Sequence, residues 1–352
     1  MSRFLGKAAA ALAPYTPGEQ PRDKSYIKLN TNESPYPPAP GVAQAVVGFD
    51  AEELRLYPDP EVTALRHAMA QCHGLAPEQV FVGGGSDEVL GYIFMAFFDK
   101  GDKVYFPDIT YGFYQVYAQL CGLEAVRLPL REDYSLDPAD YRGLDGHIVV
   151  ANPNAPTGMA LTVAQVEELL RANPGRLVVV DEAYVDFSDG RSAVPLIQRY
   201  DNLLVVQTYS KSRALAGMRI GSGLGQKPLV AALERIKYSF NPYNLDRLSI
   251  AVGIAAAEDD SYLCQTVERI TATRERTACA LEELGFQVLP SEANFLFARH
   301  PALGGFALYE RLKAAGILVR QFSQRRIKDF VRISIGTPEE MEQLLTTLRR
   351  IL

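Results

Sequence analysis

Short apolar runs that alternate with amphipathic segments constrain the fold of this 352-residue chain more than any other feature. The runs at 80–82, 103–106, 124–128, 147–151, 177–180 and 203–206 have the length of buried strands. A helix that begins near Thr162 follows one of them, with a capping-box pattern and an apolar stripe. Strands that alternate with helices pair mainly in parallel. The predicted fold class is therefore α/β, with a mainly parallel sheet flanked by helices.

A change of character near residue 240 indicates a second domain. After Asn-Pro-Tyr-Asn at 241–244 comes a long helical region, interrupted near 258–261, and then a mixture of strands and helices. The beginning of the chain is rich in Pro, Tyr and Asn, which disfavours regular helix or central strand. We expect an arm over 1–45 that packs on the smaller domain or a dimer partner, a large domain over 46–245 and a small α+β domain over 246–352.

Charge and cysteine content restrict the possible partners and the compartment. A net charge of −6 without a basic stripe argues against a nucleic-acid partner, and no apolar run has membrane-spanning length. The four cysteines and four histidines are dispersed, which is typical of free thiols in a reducing compartment and argues against a metal site. We expect a cytoplasmic protein that binds neither nucleic acid, membrane nor metal.

Two predicted strands end in residues that suit a ligand, and parallel strands bring such ends to one edge of the sheet. The glycine-rich stretch 83–86 lets the backbone approach a ligand, and the helix after it offers free N–H groups to an anion. Asp87 and Glu88 would repel a phosphate there unless their side chains point away. Asp181 closes an apolar strand and needs a cationic partner to offset its desolvation. Taken singly, these residues also suit an ordinary turn and a helix-cap aspartate.

Lys211 follows the strand at 203–206, and Arg219 lies eight residues further on. Desolvation at such a position favours the neutral amine, which acts as a nucleophile and a base; a lone lysine would more often be a solvated loop residue. Together with Asp181 and the glycine loop, however, these residues describe a site for pyridoxal phosphate. In such a site the lysine reacts with the aldehyde of the cofactor, the aspartate contacts the ring nitrogen of the cofactor and the arginine binds its phosphate.

The order and spacing of these motifs resemble the fold-type I aminotransferases, and specifically the histidinol-phosphate aminotransferase family. The matching stretches run over nearly the whole chain: 29–35 (LNTNESP), 57–60 (YPDP), 85–88 (GSDE), 107–114, 152–158, 181–184 (DEAY), 210–221, 294–295 and 332–336 (RISIG).

The resemblance implies a role for each matching residue. Lys211 would bind the cofactor and move the proton between it and the substrate carbon, and Asp181 would keep the ring nitrogen protonated. Tyr184 would hydrogen-bond the phenolic oxygen of the cofactor, and Tyr111 would stack on its ring. The implied phosphate contacts are the backbone of Ser86 and Asp87, the side chains of Thr208, Ser210 and Arg219, and Tyr57 from a second subunit of a homodimer.

Substrate binding is expected to depend on two strand arginines and on the arm. Arg332 lies in an apolar strand opposite the buried face, and a guanidinium suits a bidentate contact with a carboxylate or a phosphate. Arg320 ends the preceding predicted strand and is a second candidate. Tyr15 and Asn32 from the arm are expected to close over the substrate; arm packing is the alternative role.

One position departs from the family pattern. Where the family usually has Asn-Pro-Thr-Gly, this chain has Ala155-Pro156-Thr157-Gly158. The missing amide normally helps to hold the phenolic oxygen, and Asn154 is the candidate to replace it. Loss of one such hydrogen bond would cost on the order of 1 kcal/mol and should tune the cofactor rather than abolish catalysis.

The expected activity is amino transfer from glutamate to imidazole-acetol phosphate in histidine biosynthesis. An aromatic amino-acid aminotransferase and a threonine-phosphate decarboxylase are alternatives within the fold, since an arginine that binds a carboxylate also binds a phosphate. From another class, a non-catalytic ligand-binding protein would be expected to lack Lys211, Asp181 or Arg219, all of which are present. The expected partners are small molecules: glutamate and a phosphorylated or aromatic keto acceptor.

Overall fold

The computed structural model describes residues 2–13 and 15–352. Its strands are β1 Ile27–Leu29, β2 Val80–Gly83, β3 Lys103–Pro107, β4 Glu124–Leu128, β5 His147–Ala151, β6 Val178–Asp181, β7 Leu203–Thr208, β8 Gly221–Gly225, β9 Gln287–Val288, β10 Phe295–Arg299, β11 Ile317–Gln321 and β12 Phe330–Ser334. Its helices are α1 Lys7–Ala11, α2 Pro40–Val47, α3 Thr63–His73, α4 Gly85–Phe97, α5 Phe113–Cys121, α6 Val163–Ala172, α7 Lys227–Phe240, α8 Arg247–Ala257, α9 Asp260–Glu283, α10 Gly305–Ala314 and α11 Pro338–Ile351.

A seven-stranded sheet with the order β2-β8-β7-β6-β5-β3-β4 forms the centre of the large domain. The strands β3 to β7 run parallel to one another, and β8 is antiparallel to its two neighbours, β7 and β2. The predicted fold class is therefore confirmed. The register pairs Asp181 with Ala151 on one side and with Val206 on the other. The carboxyl ends of three central strands thus form one continuous edge.

Apolar layers cover both faces of this sheet, as the alternation of side chains along β6 requires. Val178 and Val180 pack in the layer that contains α3, α6 and α8, whereas Val179 packs in the layer that contains α4, α5 and α7. All three valines are fully buried. Among the described helices, none is long and apolar enough to cross a membrane.

The strand β8 has the sequence Gly-Ser-Gly-Leu-Gly and was not predicted, because glycine is depleted in strands. The backbone of the ligand-binding loop explains one of these glycines. A Cβ atom on Gly221 would lie 2.4 Å from the backbone carbon of Gly85 and from the nitrogen of Ser86. Only glycine at position 221 therefore lets β8 and the loop after β2 lie in contact.

The C-terminal region builds a second sheet with the order β1-β11-β12-β10-β9. Strand β1 belongs to the N-terminal arm and pairs in parallel with β11, so the arm completes this sheet. The predicted interruption of the long helical region lies between α8 and α9, where the Asp259 side chain caps α9 by accepting the Tyr262 N–H.

Candidate active site

A cavity of about 170 Å³ lies at the carboxyl ends of the central strands, between the large sheet, the second sheet and the arm. Its walls carry four cationic side chains and two carboxylates, so it is suited to an anionic ligand. Most of the residues predicted from the sequence line it: Tyr15, Ser86, Asp87, Tyr111, Asp181, Tyr184, Thr208, Ser210, Lys211, Arg219, Arg320 and Arg332. Asn32, Tyr57 and Asn154 do not line it.

Asp181 is the most strongly perturbed acid of the cavity. It is only 4% exposed, and burial raises the pKa of Asp181 to about 6. One carboxylate oxygen, Oδ2, accepts the Tyr114 hydroxyl hydrogen at 2.7 Å. The other oxygen, Oδ1, is buried and has no hydrogen-bond partner among the described residues. A carboxylate in this condition is stabilised by a ligand that brings a proton-bearing cationic group.

Lys211 extends from the turn after β7 towards the arm. Its Nζ donates to the carbonyl oxygen of Thr31 at 3.1 Å and lies 5.8 Å from the ring centroid of Tyr184. The lysine amine and the Asp181 carboxylate therefore face one cavity from neighbouring strand ends.

The acidic residues of the glycine-rich loop do not block an anion site. The Glu88 carboxylate turns away from the cavity and accepts hydrogen bonds from Gly84 N–H at 2.6 Å, Asn244 Nδ2 at 2.7 Å and Tyr92 Oη at 3.0 Å. Asp87 remains at the cavity, where Arg219 offsets its charge at 3.0 Å. Asp87 and Glu88 therefore need not repel a phosphate: three donors bind the Glu88 carboxylate, and an ion pair with Arg219 offsets the charge of Asp87.

Arg219, the loop and two hydroxyl groups form the candidate phosphate cradle. Gly85 has φ +86° and lies against the guanidinium, so that a Cβ there would be 2.5 Å from Nη2 of Arg219. Thr208 Oγ1 is 2.9 Å from Ser210 Oγ, which is itself 3.4 Å from Nη1 of Arg219. Backbone N–H groups at the start of α4, two hydroxyls and a guanidinium are donors suited to a phosphate.

The tyrosines of α5 and of the turn before it support both ends of the cavity. Tyr111 donates its hydroxyl to Asp87 Oδ1 at 2.8 Å, and its ring lines the cavity. Tyr114 is fully buried behind it and holds Asp181. The role of Tyr114 was not predicted from the sequence. The available signal was its place in the matching stretch 107–114, three residues after Tyr111.

The two strand arginines face each other across β11 and β12, since Arg320 pairs with Arg332 in the register. Arg332 donates from Nη2 to Asn30 O at 3.1 Å and lies 5.3 Å from the ring of Phe295. Desolvation lowers the pKa of Arg332, and its buried Nε has no partner among the described residues. Arg320 donates to the carbonyls of Thr16 and Pro17 in the arm, at 2.9 and 3.0 Å. Two adjacent guanidiniums at the wall suit an anionic substrate group.

Asn154 faces away from the cavity. Its Nδ2 donates to Ile109 O and to Thr157 Oγ1, both at 3.0 Å, and its Oδ1 accepts from Thr110 Oγ1 at 2.7 Å. Both amide hydrogens are thereby used on protein acceptors. Ala155, in contrast, lines the cavity with its methyl group. This geometry does not support the expectation that Asn154 replaces the missing family amide.

Tyr57 and Asn32 lie outside the cavity wall for different reasons. The Tyr57 ring is 76% exposed on the surface and stacks on Tyr243 at 4.5 Å. Asn32 is 1% exposed and lies directly behind Tyr184. Its Nδ2 donates to the Tyr184 hydroxyl at 3.0 Å.

Tyr15 closes the arm side of the cavity, with its ring 4.5 Å from that of Phe113 and 6.0 Å from that of Tyr111.

Known proteins share both the sequence and the fold. The family model of class I and II aminotransferases matches residues 24–348. A histidinol-phosphate aminotransferase of Brachyspira hyodysenteriae is 49% identical over 352 residues, 100% of this chain and 99% of the relative. Histidinol-phosphate aminotransferase 2 of Dechloromonas aromatica is 52% identical, with 100% and 99% covered. The crystal structure of histidinol-phosphate aminotransferase from Sinorhizobium meliloti in complex with pyridoxal-5'-phosphate has a TM-score of 0.89 at 26% identity, covering 100% of this chain and 99% of that one.

The chain therefore belongs to the class I and II aminotransferases, and it is an enzyme of that class. Within the class it belongs to the histidinol-phosphate aminotransferase family, as its motifs predict. The residues present fit the cofactor expected from the sequence. The unpartnered Oδ1 of Asp181 suits a protonated ring nitrogen, and the close approach of Gly85 to Arg219 provides a cradle for a phosphate.

The burial of Asp181 predicts a pH-dependent stability of the cofactor-free protein. The pKa of Asp181 is about 6 when folded, against a usual value of 3.8, so the folded state binds the proton more tightly. The resulting stabilisation is complete below about pH 4 and is lost as the pH rises through 6. We expect Asp181→Asn to be more stable than the wild type by on the order of 2 kcal/mol at pH 8, and the advantage to disappear at pH 4.

Urea unfolding of both cofactor-free proteins at the two pH values measures this difference. Burial also raises the pKa of Glu182, to about 7, but Glu182 is present in both proteins and cancels in the comparison. Asp201→Asn, at an exposed aspartate, is the matched control and should show no such dependence. An equal difference between Asp181→Asn and the wild type at pH 4 and pH 8 would contradict the prediction.

Proposed function

We propose that the protein transfers the amino group of glutamate to imidazole-acetol phosphate with pyridoxal phosphate as cofactor, giving 2-oxoglutarate and histidinol phosphate in a ping-pong cycle of histidine biosynthesis. One observation carries this proposal: the Lys211 amine, the Asp181 carboxylate, the Arg219 guanidinium and two further arginines all line one cavity. The names of relatives at about half identity over the full chain support the choice of substrate.

The cofactor, when bound, supplies an electron-accepting ring for the electron pair left on the substrate carbon. Lys211 Nζ would hold the cofactor covalently and is the group placed to move a proton at that carbon. Asp181 would keep the ring nitrogen protonated, and Tyr184 would donate its hydroxyl hydrogen to the phenolic oxygen. Tyr111 would cover the ring face. The N–H groups of Ser86 and Asp87, with Thr208, Ser210 and Arg219, would hold the phosphate.

Substrate binding is assigned to the paired arginines at the wall. Arg332 has an unpartnered buried Nε and a depressed pKa, both of which favour an added anion. Arg320 is the second cation, and Tyr15 covers the substrate from the arm. A pair of guanidiniums accommodates either the carboxylates of glutamate or the phosphate of histidinol phosphate, which a ping-pong cycle must bind in turn.

A second subunit is proposed to complete the phosphate site with its Tyr57. The ring of Tyr57 is exposed, lies outside the cavity wall of its own chain and stacks on the exposed ring of Tyr243. Leu54 and Leu56, close to it in the sequence, are also exposed. Exposed large apolar side chains of this kind are suited to an interface between copies of the chain.

We also propose the division into an arm over 1–45, a large domain over 46–245 and a small domain over 246–352. The two separate sheets support the division between the large and the small domain. Helix α8 falls within the proposed small domain, but its residues Val252, Ala256 and Ala257 pack in the core beside the large sheet. The four free cysteines support a reducing, cytoplasmic location.

The cofactor assignment predicts a visible signal that depends on Lys211. We expect the protein reconstituted with pyridoxal phosphate to be yellow and to bleach when glutamate is added. Lys211→Ala should lose both the covalent link and the activity, and Lys211→Arg, which keeps the positive charge, serves as the control for charge alone. A colourless protein after reconstitution, or an active Lys211→Ala variant, would overturn the assignment.

The substrate assignment predicts an order of kcat/KM across three classes of amino compound. Histidinol phosphate should exceed the aromatic amino acids and threonine phosphate, and Arg332→Gln should lower its kcat/KM by about 10- to 100-fold, because a charge-assisted hydrogen-bonding partner is lost. A preference for phenylalanine of about tenfold or more, equivalent to about 1.4 kcal/mol of transition-state binding, would contradict the substrate and leave the chemistry intact.

The shared site predicts complementation between two defective subunits. Tyr57→Phe should weaken cofactor binding in its own homodimer. A heterodimer can be isolated from one Tyr57→Phe subunit and one Lys211→Ala subunit that carry different tags. Its Tyr57→Phe subunit keeps Lys211 and would receive an intact Tyr57 from the Lys211→Ala partner. We expect the one functional site of this heterodimer to bind pyridoxal phosphate with wild-type affinity. An affinity equal to that of the Tyr57→Phe homodimer would show that Tyr57 acts within its own chain.

A further inference from the structure

The departure at Ala155 raises the question of which residue compensates for the missing amide. Ala155 offers only a methyl group to the cavity, and Asn154 uses both its amide hydrogens on Ile109 and Thr157. Tyr184 is thus the remaining candidate donor to the phenolic oxygen. Its usefulness depends on the direction in which its hydroxyl hydrogen points.

Asn32 occupies the position that controls this direction. Its Nδ2 donates to the Tyr184 hydroxyl oxygen at 3.0 Å, and its Oδ1 accepts from Ser334 Oγ at 2.8 Å. Ser334 Oγ in turn accepts the Asn32 backbone N–H at 2.9 Å. In this arrangement Ser334 donates its one hydroxyl hydrogen to Oδ1, and the Nδ2 of Asn32 faces Tyr184. The three groups form one chain of donors with a common direction.

The surroundings of Asn32 hold this arrangement in place. Asn32 is 1% exposed and Ser334 is 2% exposed, so water does not compete for these hydrogen bonds. Asn32 has φ +57°, a left-handed conformation that asparagine adopts more readily than most residues. Its carbonyl accepts from Asn294 Nδ2 at 3.1 Å, which fixes the backbone as well.

A hydroxyl that accepts from Asn32 keeps its own hydrogen for another acceptor. Among the described residues the Tyr184 hydroxyl donates to no protein atom, and its ring lines the cavity. From the sequence, Asn32 was predicted to close over the substrate. The buried position behind Tyr184 and the absence of Asn32 from the cavity wall indicate a different role.

We propose that Ser334, Asn32 and Tyr184 form a relay that orients the Tyr184 hydroxyl as a hydrogen-bond donor to the cofactor's phenolic oxygen and thereby replaces the amide missing at position 155. Asn32 is a positioning residue in this relay, because it acts through Tyr184. The inference rests on the proposed cofactor. Cooperative polarisation along such a chain strengthens the final hydrogen bond.

The test is a pH titration of the absorbance of the lysine-bound cofactor in the reconstituted holoenzyme. A donor to the phenolic oxygen stabilises the deprotonated, more negative form of the chromophore. Loss of the donor therefore raises the midpoint. Asn32→Gly removes the amide without penalising the left-handed backbone, and we expect a rise of about half to one pH unit together with weaker cofactor binding. Ser334→Ala should shift the midpoint in the same direction.

A matched control separates this effect from general loosening of the arm. Asn30 is an asparagine of the same burial two residues away, and its Nδ2 donates to Glu19 O within the arm rather than to Tyr184. It lines the cavity and its carbonyl accepts from Arg332, but a glycine there keeps that carbonyl and removes only the amide. Asn30→Gly should leave the midpoint within about 0.2 units of the wild type, well below the shift expected from a lost hydrogen bond. An equal shift in Asn30→Gly and Asn32→Gly would overturn the relay.

Two further comparisons test the route through Tyr184. In a Tyr184→Phe background, Asn32→Gly should cause no additional shift. Ala155→Asn, which restores the amide at the cavity wall, should return the midpoint of Asn32→Gly towards the wild-type value. An unchanged midpoint in Asn32→Gly, a shift that persists without the Tyr184 hydroxyl, or no recovery with Ala155→Asn would overturn the inference. A wild-type protein without the chromophore would instead overturn the proposed function, and this inference with it.

Discussion

The burial of one carboxylate determines how this active site is built. Asp181 closes the central strand β6, where the register places it between Ala151 and Val206 and where helices cover both faces of the sheet. An unpaired charge in such a place costs several kcal/mol, and one hydroxyl from Tyr114 offsets only part of this cost. A cationic ligand is suited to supply the remaining stabilisation of the ionised carboxylate. The site is therefore organised around a ligand with a positive charge at the Asp181 end and a negative charge at the Arg219 end.

At the phosphate end of the site, the backbone of the glycine-rich loop lies in close contact with Arg219 and with β8. Two glycines make this possible, since a Cβ on Gly85 or on Gly221 would collide with the guanidinium of Arg219 or with the loop backbone. Glu88 then stabilises the same loop by accepting the Gly84 N–H, although its charge alone would disfavour an anion nearby. Glu88 therefore stabilises the loop of the anion site, because three donors bind its carboxylate on the side away from the cavity.

The fold and most of the site could be predicted because they depend on local patterns. The strands Val178–Asp181 and Leu203–Thr208 are recognisable from the apolar runs 177–180 and 203–206, and Asp181 and Lys211 were found because they follow such runs. Strand β8 could not be predicted, since its Gly221 serves a contact with a loop about 136 residues away. The direction of Asn154 and the contact between Asn32 and Tyr184 depend on side-chain packing between distant segments. No local pattern contains that information.

The arm shows why its residues matter more to the site than their irregular sequence suggests. Three consecutive carbonyls of the arm accept hydrogen bonds: Asn30 O from Arg332, Thr31 O from Lys211 and Asn32 O from Asn294. In the proposed reaction Arg332 and Lys211 have to serve a substrate and a cofactor, so their bonds to the arm are exchangeable during turnover. The hydrogen bonds of Asn32 to Asn294, Ser334 and Tyr184 do not have to break for the substrate or the cofactor to bind. In the proposed reaction Asn32 therefore keeps its hydrogen bonds while the carbonyls of Asn30 and Thr31 exchange theirs. The Tyr184 hydroxyl keeps its direction throughout.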